Sequence, residues 1–461
     1  MVEIIQKKLN DSAGARWTAL IIVAFTMMMG YFLTDVMSPL QDMLEQPVKE
    51  GGFGMGWTSS EYGFFSGSYG LINVFLFMLF FGGIILDKMG IRFTGTMSCI
   101  LMVIGAFIKF YSIQFISPEH TLSIFGIDYK IQVWIASLGF AIFGMGCEIC
   151  GITVSKILAK WFTGHGMALA MGIQVALARL GTAMALFISP IIAHKFNNIS
   201  MPILLGAICL CTGLLGFIVY TVMDKKLEKS VEAEKTGNEV EEEGFKFSDL
   251  NVIFTSPGFW LITLLCLLFY SGVFPFLKFA TKLMIAKYGV DSEFAGVIPA
   301  VLPFGTIFLT PIFGIIYDRI GKGATLMIIG SLMMTLVHIC FALPILNTGA
   351  FALILMIVLG IAFSLVPSAM WPSVPKIIPM KQLGSAYAII FYIQNIGLTL
   401  VPMLIGNVLQ ANTVNGKMDF TSTMWIFASF GVVAVILATF LRILDGKKHY
   451  GLQQANIKKE K

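Results

Sequence analysis

The sequence predicts an all-α polytopic membrane protein with twelve transmembrane helices in two pseudo-symmetric six-helix bundles. Three observations predict it. Of 461 residues, 57% are hydrophobic and only 12% are charged, against about 25% charged in soluble domains. Apolar runs of roughly 20 residues, the length that spans a hydrocarbon core of about 30 Å, recur twelve times along the chain. A short glycine- and charge-bearing motif occurs once in each half at the same place among the runs.

The first run, Trp17 to Leu40, follows an N-terminus too polar to be a cleavable signal. It ends in DVMSPLQ, which places Asp35 close to an outer mouth, either as a solvated rim acid or as a cavity group. The second, Tyr62 to Leu86, carries Ser66, Ser68, Tyr69 and Asn73, groups that bond neighbouring helices or line a polar path. The third, Phe93 to Phe115, has Lys109 near its outer end, where a lysine can snorkel to the interface. The fourth and fifth, Ile131 to Leu158 and Met167 to Ile192, carry Glu148 and Arg179. The sixth, Pro202 to Met223, closes a first half of residues 1–223. A polar stretch with the acidic block EVEEEGF reads as a solvated linker over 224–257.

The second half, 258–461, opens with Phe259 to Ala286, where Pro275 should break or kink the helix. Lys278 follows within one turn, either as a candidate for the outer part of a site or as a lysine that snorkels, and Lys282 reads as interfacial. Phe294 to Tyr317 and Ala324 to Leu346 come next, the latter with His338 as a packing histidine. Phe351 to Ile378 carries Pro367, Pro372 and Pro375 around Trp371, with Pro379 just beyond. So many prolines predict a bent, gating helix. Gly384 to Leu409 adds Tyr392, Gln394 and Asn395, and Met424 to Leu444 completes the set.

Glu148 and Arg179 are the anomaly. The turn between their helices holds Lys156, Lys160 and His165. Counting about 10 and 12 residues from it, at about 1.5 Å each, puts both charges roughly 15 to 18 Å deep, near the bilayer midplane. An ionised side chain there is costly unless it is paired or faces a watery cavity. One reading is a structural ion pair that ties the two helices together. The other is a site for a zwitterion, with Glu148 holding an ammonium and Arg179 a carboxylate by a bidentate pair. A dipeptide or a single amino acid satisfies that arrangement. Gln174, Tyr392 or Asn395 would meet backbone amides, and Trp371 would be either an aromatic wall of the cavity or ordinary packing.

Composition excludes much else. The net charge of +5 gathers on alternate connections, as in Lys88, Lys160, Lys225, Lys322, Lys376 and Lys448. This is the positive-inside pattern, with both termini cytoplasmic, and it requires no nucleic acid. The seven cysteines all fall within apolar runs, so no disulfide framework is expected, and the Cys147/Cys150 pair lacks a second ligand pair for a metal. No phosphate-binding loop of an ATP-driven pump occurs, and no nucleophile with a base and orienting group stands out. Transport without covalent chemistry, with no cofactor and no catalytic or metal site, is the economical account.

The repeated motif reads GGIILDKMGIR between the second and third runs and GIIYDRIGKG between the eighth and ninth. Gly83, Asp87, Lys88 and Gly90 match Gly314, Asp318, Arg319 and Gly321 at one constant offset, and Arg92 follows the first copy. Twice at corresponding places, this indicates an internal duplication. Its groups are expected to latch an inner gate, through close helix contact and bases that bind carboxylates or carbonyls. The pattern resembles the signature of the major facilitator superfamily. Longer stretches resemble its branch of animal lysosomal dipeptide transporters: DVMSPLQ, the ALAMGIQVALARLG run, YSGVFPF, and MWPSVP with IQNIGL. The resemblance implies the twelve-helix fold and movement of dipeptides, cationic ones included, by facilitated uniport. It also implies that Glu148 and Arg179 stand in the site of an alternating-access carrier.

The chain departs from the lysosomal form in lacking an acidic dileucine signal near its N-terminus. A bacterial inner membrane is therefore the expected home, and a monomer the expected form. Three competitors remain: a proton-coupled symporter using Glu148 as a switch, an organic-anion or nitrate carrier using Arg179 and Lys278, and a receptor on a transporter fold that moves nothing.

Overall fold

A computed structural model describes residues 12–48, 54–162, 166–232, 249–379, 382–414 and 417–455. His165 and the acidic block at 239–243 lie outside the described residues. Among the described residues, eleven helices are long and apolar enough to cross a membrane. The remaining pass is the second, and it is broken. It comprises Ser59–Ser68, Leu71–Phe75 and the start of Met78–Phe115, interrupted where Phe77 takes a left-handed conformation (φ 53°).

The same long helix holds the turn between the second and third passes at Gly90, whose φ of 78° and ψ of 171° glycine tolerates best. Contacts with the fourth pass, Ile131–Phe162, establish the reversal. Glu61 accepts from the Lys130 amide and Asp87 pairs with Lys156, so the second pass runs alongside the fourth in the same direction. Ser98 packs near Gly146 and Gly105 near Gly139, so the third runs against it.

The other passes are Ala13–Asp35, Met167–Phe196, Ser200–Glu232, Pro257–Tyr288, Val297–Ile320, Gly323–Ala342, Gly349–Met370 continued by Trp371–Ser373 and Val374–Ile377, Leu383–Ala411 and Thr421–Lys448. Ser12, Thr58, Ser256 and Thr348 cap helix starts by accepting backbone N–H groups. Large apolar side chains such as Ile21, Phe308, Leu336 and Phe440 remain exposed around the outside, as suits helices surrounded by lipid. Two short hairpins interrupt the all-helical pattern, Thr121–Ile124 with Ile127–Lys130 and Thr413–Val414 with Lys417–Met418.

Two local expectations are corrected here. The seventh pass runs unbroken through Pro275; the Gly272 carbonyl one turn earlier faces the buried His338 ring nitrogen Nε2 at 2.9 Å. The tenth pass, by contrast, does change character, narrowing to a 3-10 turn at Trp371–Ser373. The second correction is that Lys109 does not snorkel. It is fully buried, donating to the Leu33 carbonyl at 2.7 Å and lying over the rings of Phe140 and Phe143. The reason is the first helix ending at Asp35: its last carbonyls lack helical partners and attract a cation.

The two halves meet along the second and eleventh passes and along the fifth and eighth. On the side away from the termini this contact is tight. A Cβ at Gly63 would stand 2.7 Å from the Gly406 Cα, and one at Gly296 would stand 2.0 Å from the Leu186 carbonyl oxygen. At the termini side of the same helices, Gly83, Gly172, Gly314 and Gly384 have no heavy atom within 4 Å of a Cβ position. The bundles are sealed on the far side and parted at the other.

Candidate functional site

Glu148 and Arg179 sit in the middle of the fourth and fifth passes, and each has an uncharged partner. The Tyr69 hydroxyl donates to Glu148 Oε1 at 2.9 Å. The Arg179 guanidinium lies 5.1 Å from the Phe274 ring centre and 5.3 Å from that of Phe363, both on the opposite bundle. Among the described residues the two charges do not pair with each other, so the reading of a structural ion pair finds no support. The result is a carboxylate held by a phenol and a guanidinium held by ring faces, on adjacent helices of one bundle.

The aromatic wall comes from the second half. Trp371 donates its indole N–H to the Tyr270 hydroxyl at 3.0 Å and stacks on Phe391 at 4.9 Å. Tyr270 in turn meets Phe363 edge to face at 5.6 Å, so the wall that carries Trp371 is continuous with the rings under Arg179. Sequence reasoning selected Trp371 but passed over Tyr69, Tyr270, Phe274 and Phe363 as site members. Tyr69 was visible as a hydroxyl in an apolar run. The phenylalanines gave no signal among 40 in the chain.

Tyr392 and Asn395 are both on the eleventh pass, each with a backbone carbonyl as its partner. The Tyr392 hydroxyl donates to the Val74 carbonyl at 3.1 Å and its ring stacks on Phe77 at 5.3 Å, closing the eleventh pass onto the break in the second. Asn395 donates to the Phe391 carbonyl at 3.0 Å, while its Oδ1 is buried with no hydrogen-bond partner among the described residues.

Lys278 is engaged on the far side. Its ammonium donates to Asp35 Oδ1 at 2.6 Å and to the Thr34 carbonyl at 2.8 Å, and Asp35 Oδ2 also accepts from Thr182 at 2.9 Å. Lys282, expected at the interface, is largely buried and pairs across the bundles with Asp42 and with Glu45. Two lysines of the seventh pass thus lock onto three acids of the first half. In this conformation Lys278 belongs to the far-side seal.

The repeated motif lies at the termini-side ends. Asp87 pairs with Lys156 at 2.6 Å, and Arg92 and Lys160 share Asp224 and Glu228. These pairs stay within one bundle. Lys88 and Arg319 are exposed, and a Cβ at Gly83 or Gly314 would have no neighbour within 4 Å. In the second copy, Gly321 (φ 72°) begins a turn whose next two amides, of Lys322 and Gly323, donate to the carbonyls of Gln453 and Leu452. Lys376 donates to the carbonyls of Gly451 and Gln454 in the same tail, and Asp445 accepts from the Leu452 amide. Asp318 also takes part in contacts.

Comparisons agree with this architecture. The family model described as Major Facilitator Superfamily matches residues 20–402 and 279–456. A Gallus gallus protein named lysosomal dipeptide transporter MFSD1 is 28% identical over 324 residues, 68% of this chain and 70% of its own. Its Homo sapiens counterpart is 26% identical over 453 residues, 95% and 89% of the two chains. The crystal structure of the nucleoside transporter NupG superposes with a TM-score of 0.67 at 16% identity, covering 93% of this chain and 98% of that one, a likeness of fold.

Proposed function

The chain belongs to the Major Facilitator Superfamily, and from that premise we propose that it moves dipeptides through a central zwitterion site by alternating-access uniport. One observation carries the reading. Glu148 and Arg179 stand on neighbouring helices with neutral partners, a hydroxyl and two ring faces, so each charge can exchange an uncharged partner for a ligand group of opposite sign. An ammonium at Glu148 and a carboxylate at Arg179 would each form a charge-assisted bond stronger than the contact it replaces. The relatives named dipeptide transporters support the substrate class. Trp371 is the wall beside which a substrate side chain would lie.

In this reading the Asp35–Lys278 and Lys282 pairs are the outer gate. The loops holding Gly83, Asp87, Lys88, Gly90 and Arg92, and Gly314, Asp318, Arg319 and Gly321, form the inner gate when the termini side closes. Both termini cytoplasmic is the proposed orientation, supported by the charge pattern, and a bacterial inner membrane is the proposed setting, supported by the missing acidic dileucine signal.

Thermal-shift midpoints of the purified protein against dipeptides, free amino acids, sugars and organic anions test the proposal, repeated with Glu148→Gln and Arg179→Ala. A ligand that binds only the folded protein stabilises it by about 2.7 kcal/mol at a hundredfold excess over its Kd. Stabilisation by dipeptides that vanishes in both variants is the expected result. Stabilisation by anions alone, unaffected by Glu148→Gln, would replace the dipeptide reading with an anion carrier.

A further inference from the structure

Arg179 reaches from one bundle to rings that belong to the other. Phe274 is on the seventh pass and Phe363 on the tenth, and the two rings meet edge to face at 5.2 Å and 81°, forming a corner against which the guanidinium rests. The corner is itself fixed: Phe363 is buried, meets Tyr270 edge to face at 5.6 Å and lies parallel to Phe269 at 6.2 Å. A ring face attracts a guanidinium through its quadrupole, most strongly where water is scarce. The contact therefore holds the cation in place and ties the two bundles together at the same point.

We infer that Phe274 and Phe363 are the internal occupant of the Arg179 subsite, which a substrate carboxylate must displace. This rests on the proposed carboxylate role of Arg179. A carboxylate offers that guanidinium two parallel hydrogen bonds, which the rings cannot. The rings nevertheless lower the apparent affinity, because only the fraction of protein with Arg179 released is competent to bind. Binding also removes a contact between the bundles, which links occupancy to their relative movement without any further device. Phe274 and Phe363 thus act through Arg179, as positioning residues that set affinity for the acid end of the substrate.

The test uses equilibrium binding of labelled alanyl-alanine to full-length purified protein. Phenylalanine at 274 or 363 is replaced by its mono-, di- and trifluorinated forms, which drain the ring face of negative potential and nearly preserve its shape. The expected result is a Kd that falls stepwise with fluorine count, by about three- to thirtyfold across the series, with Phe363→Leu tightening binding in the same direction. A Kd that stays flat or rises along the series overturns the inference, and this arm holds even if the leucine variant misfolds. Wild-type protein and Arg179→Ala are measured first. If the wild type does not bind alanyl-alanine, or Arg179→Ala binds it equally well, the carboxylate reading itself fails and the inference fails with it. Normal loss in Arg179→Ala with a flat fluorine series removes the inference alone.

Discussion

Asp35 and Lys278 bridge the two bundles, with Nζ 2.6 Å from Oδ1, and both side chains are close to nine-tenths buried. Lys278 adds the Thr34 carbonyl and Asp35 adds Thr182, so each ion has a second polar partner. Removing one member of a buried pair strands the other charge and typically costs about 3 to 5 kcal/mol. Lys278→Met or Asp35→Asn is therefore expected to loosen the far-side seal. Spin labels on the far-side ends of the second and eleventh passes would report it as a longer, broader distance distribution. The double exchange of the two residues should recover much of the short distance, whereas an unchanged distribution in the single variants would show that the pair does not hold the seal.

The backbone contact at Gly63 and Gly406 gives a steric counterpart. A methyl group at Gly63 would lie 2.6 Å from the Pro402 carbonyl oxygen as well as 2.7 Å from Gly406, and such overpacking costs about 1 to 3 kcal/mol. Gly63→Ala should lower the thermal midpoint. Gly83→Ala, which meets nothing here, should leave the midpoint unaltered to within about 0.5 kcal/mol and still slow transport, because its small size serves the opposite conformation. Equal midpoints for the two variants would refute the asymmetry.

Lys109 carries a buried ammonium with a single hydrogen bond, to Leu33, and two ring faces. The cost of desolvating it nearly offsets those contacts, and replacing buried ions with apolar groups of similar volume is often neutral or stabilising. Lys109→Met is expected to keep the thermal midpoint to within about 1 kcal/mol. Lys109→Ala opens a cavity and should cost about 2 to 4 kcal/mol. A collapse of the methionine variant would mean that the acid Asp35 requires the charge.

The tail after the twelfth pass gathers four helix ends. Leu452 is fully buried, Tyr450 lies over Gly258, and the backbone of 451–454 receives Lys322, Gly323 and Lys376. Leu452→Ala should destabilise by about 2 to 5 kcal/mol. Because the tail is remote from Glu148 and Arg179, ligand affinity measured on the folded fraction should not change. A shift in affinity instead would tie the tail to the transport cycle.

What was legible in the sequence follows from cost. An isolated acid and an isolated base deep in apolar runs are expensive, so Glu148 and Arg179 stand out without any coordinates, and the duplicated Asp87 and Asp318 motif announces two halves. Their partners are not legible. A phenylalanine costs nothing in lipid, so Phe274 and Phe363 cannot be told from packing residues until distances are known, and the hydroxyl of Tyr69 shows that it needs a partner without showing which. Lys109 and Lys282 defy the sequence because a long side chain near a helix end can equally reach water or a neighbouring carbonyl or carboxylate, and the choice depends on a helix distant in sequence. The break at Phe77 leaves no mark at all, since nothing about phenylalanine favours φ near 53°.

The tight meeting of Gly63 with Gly406 beside the unopposed Gly83 and Gly314 has a pharmacological corollary. A blocker that cannot permeate the bilayer would have no way in from the far side while the protein holds this shape. Presented to vesicles that hold the far side outward it should be inert, and presented to vesicles of the opposite orientation it should be active. One compound would thus stop transport in one preparation and leave it untouched in the other, the sole difference being which face of the membrane the drug wets.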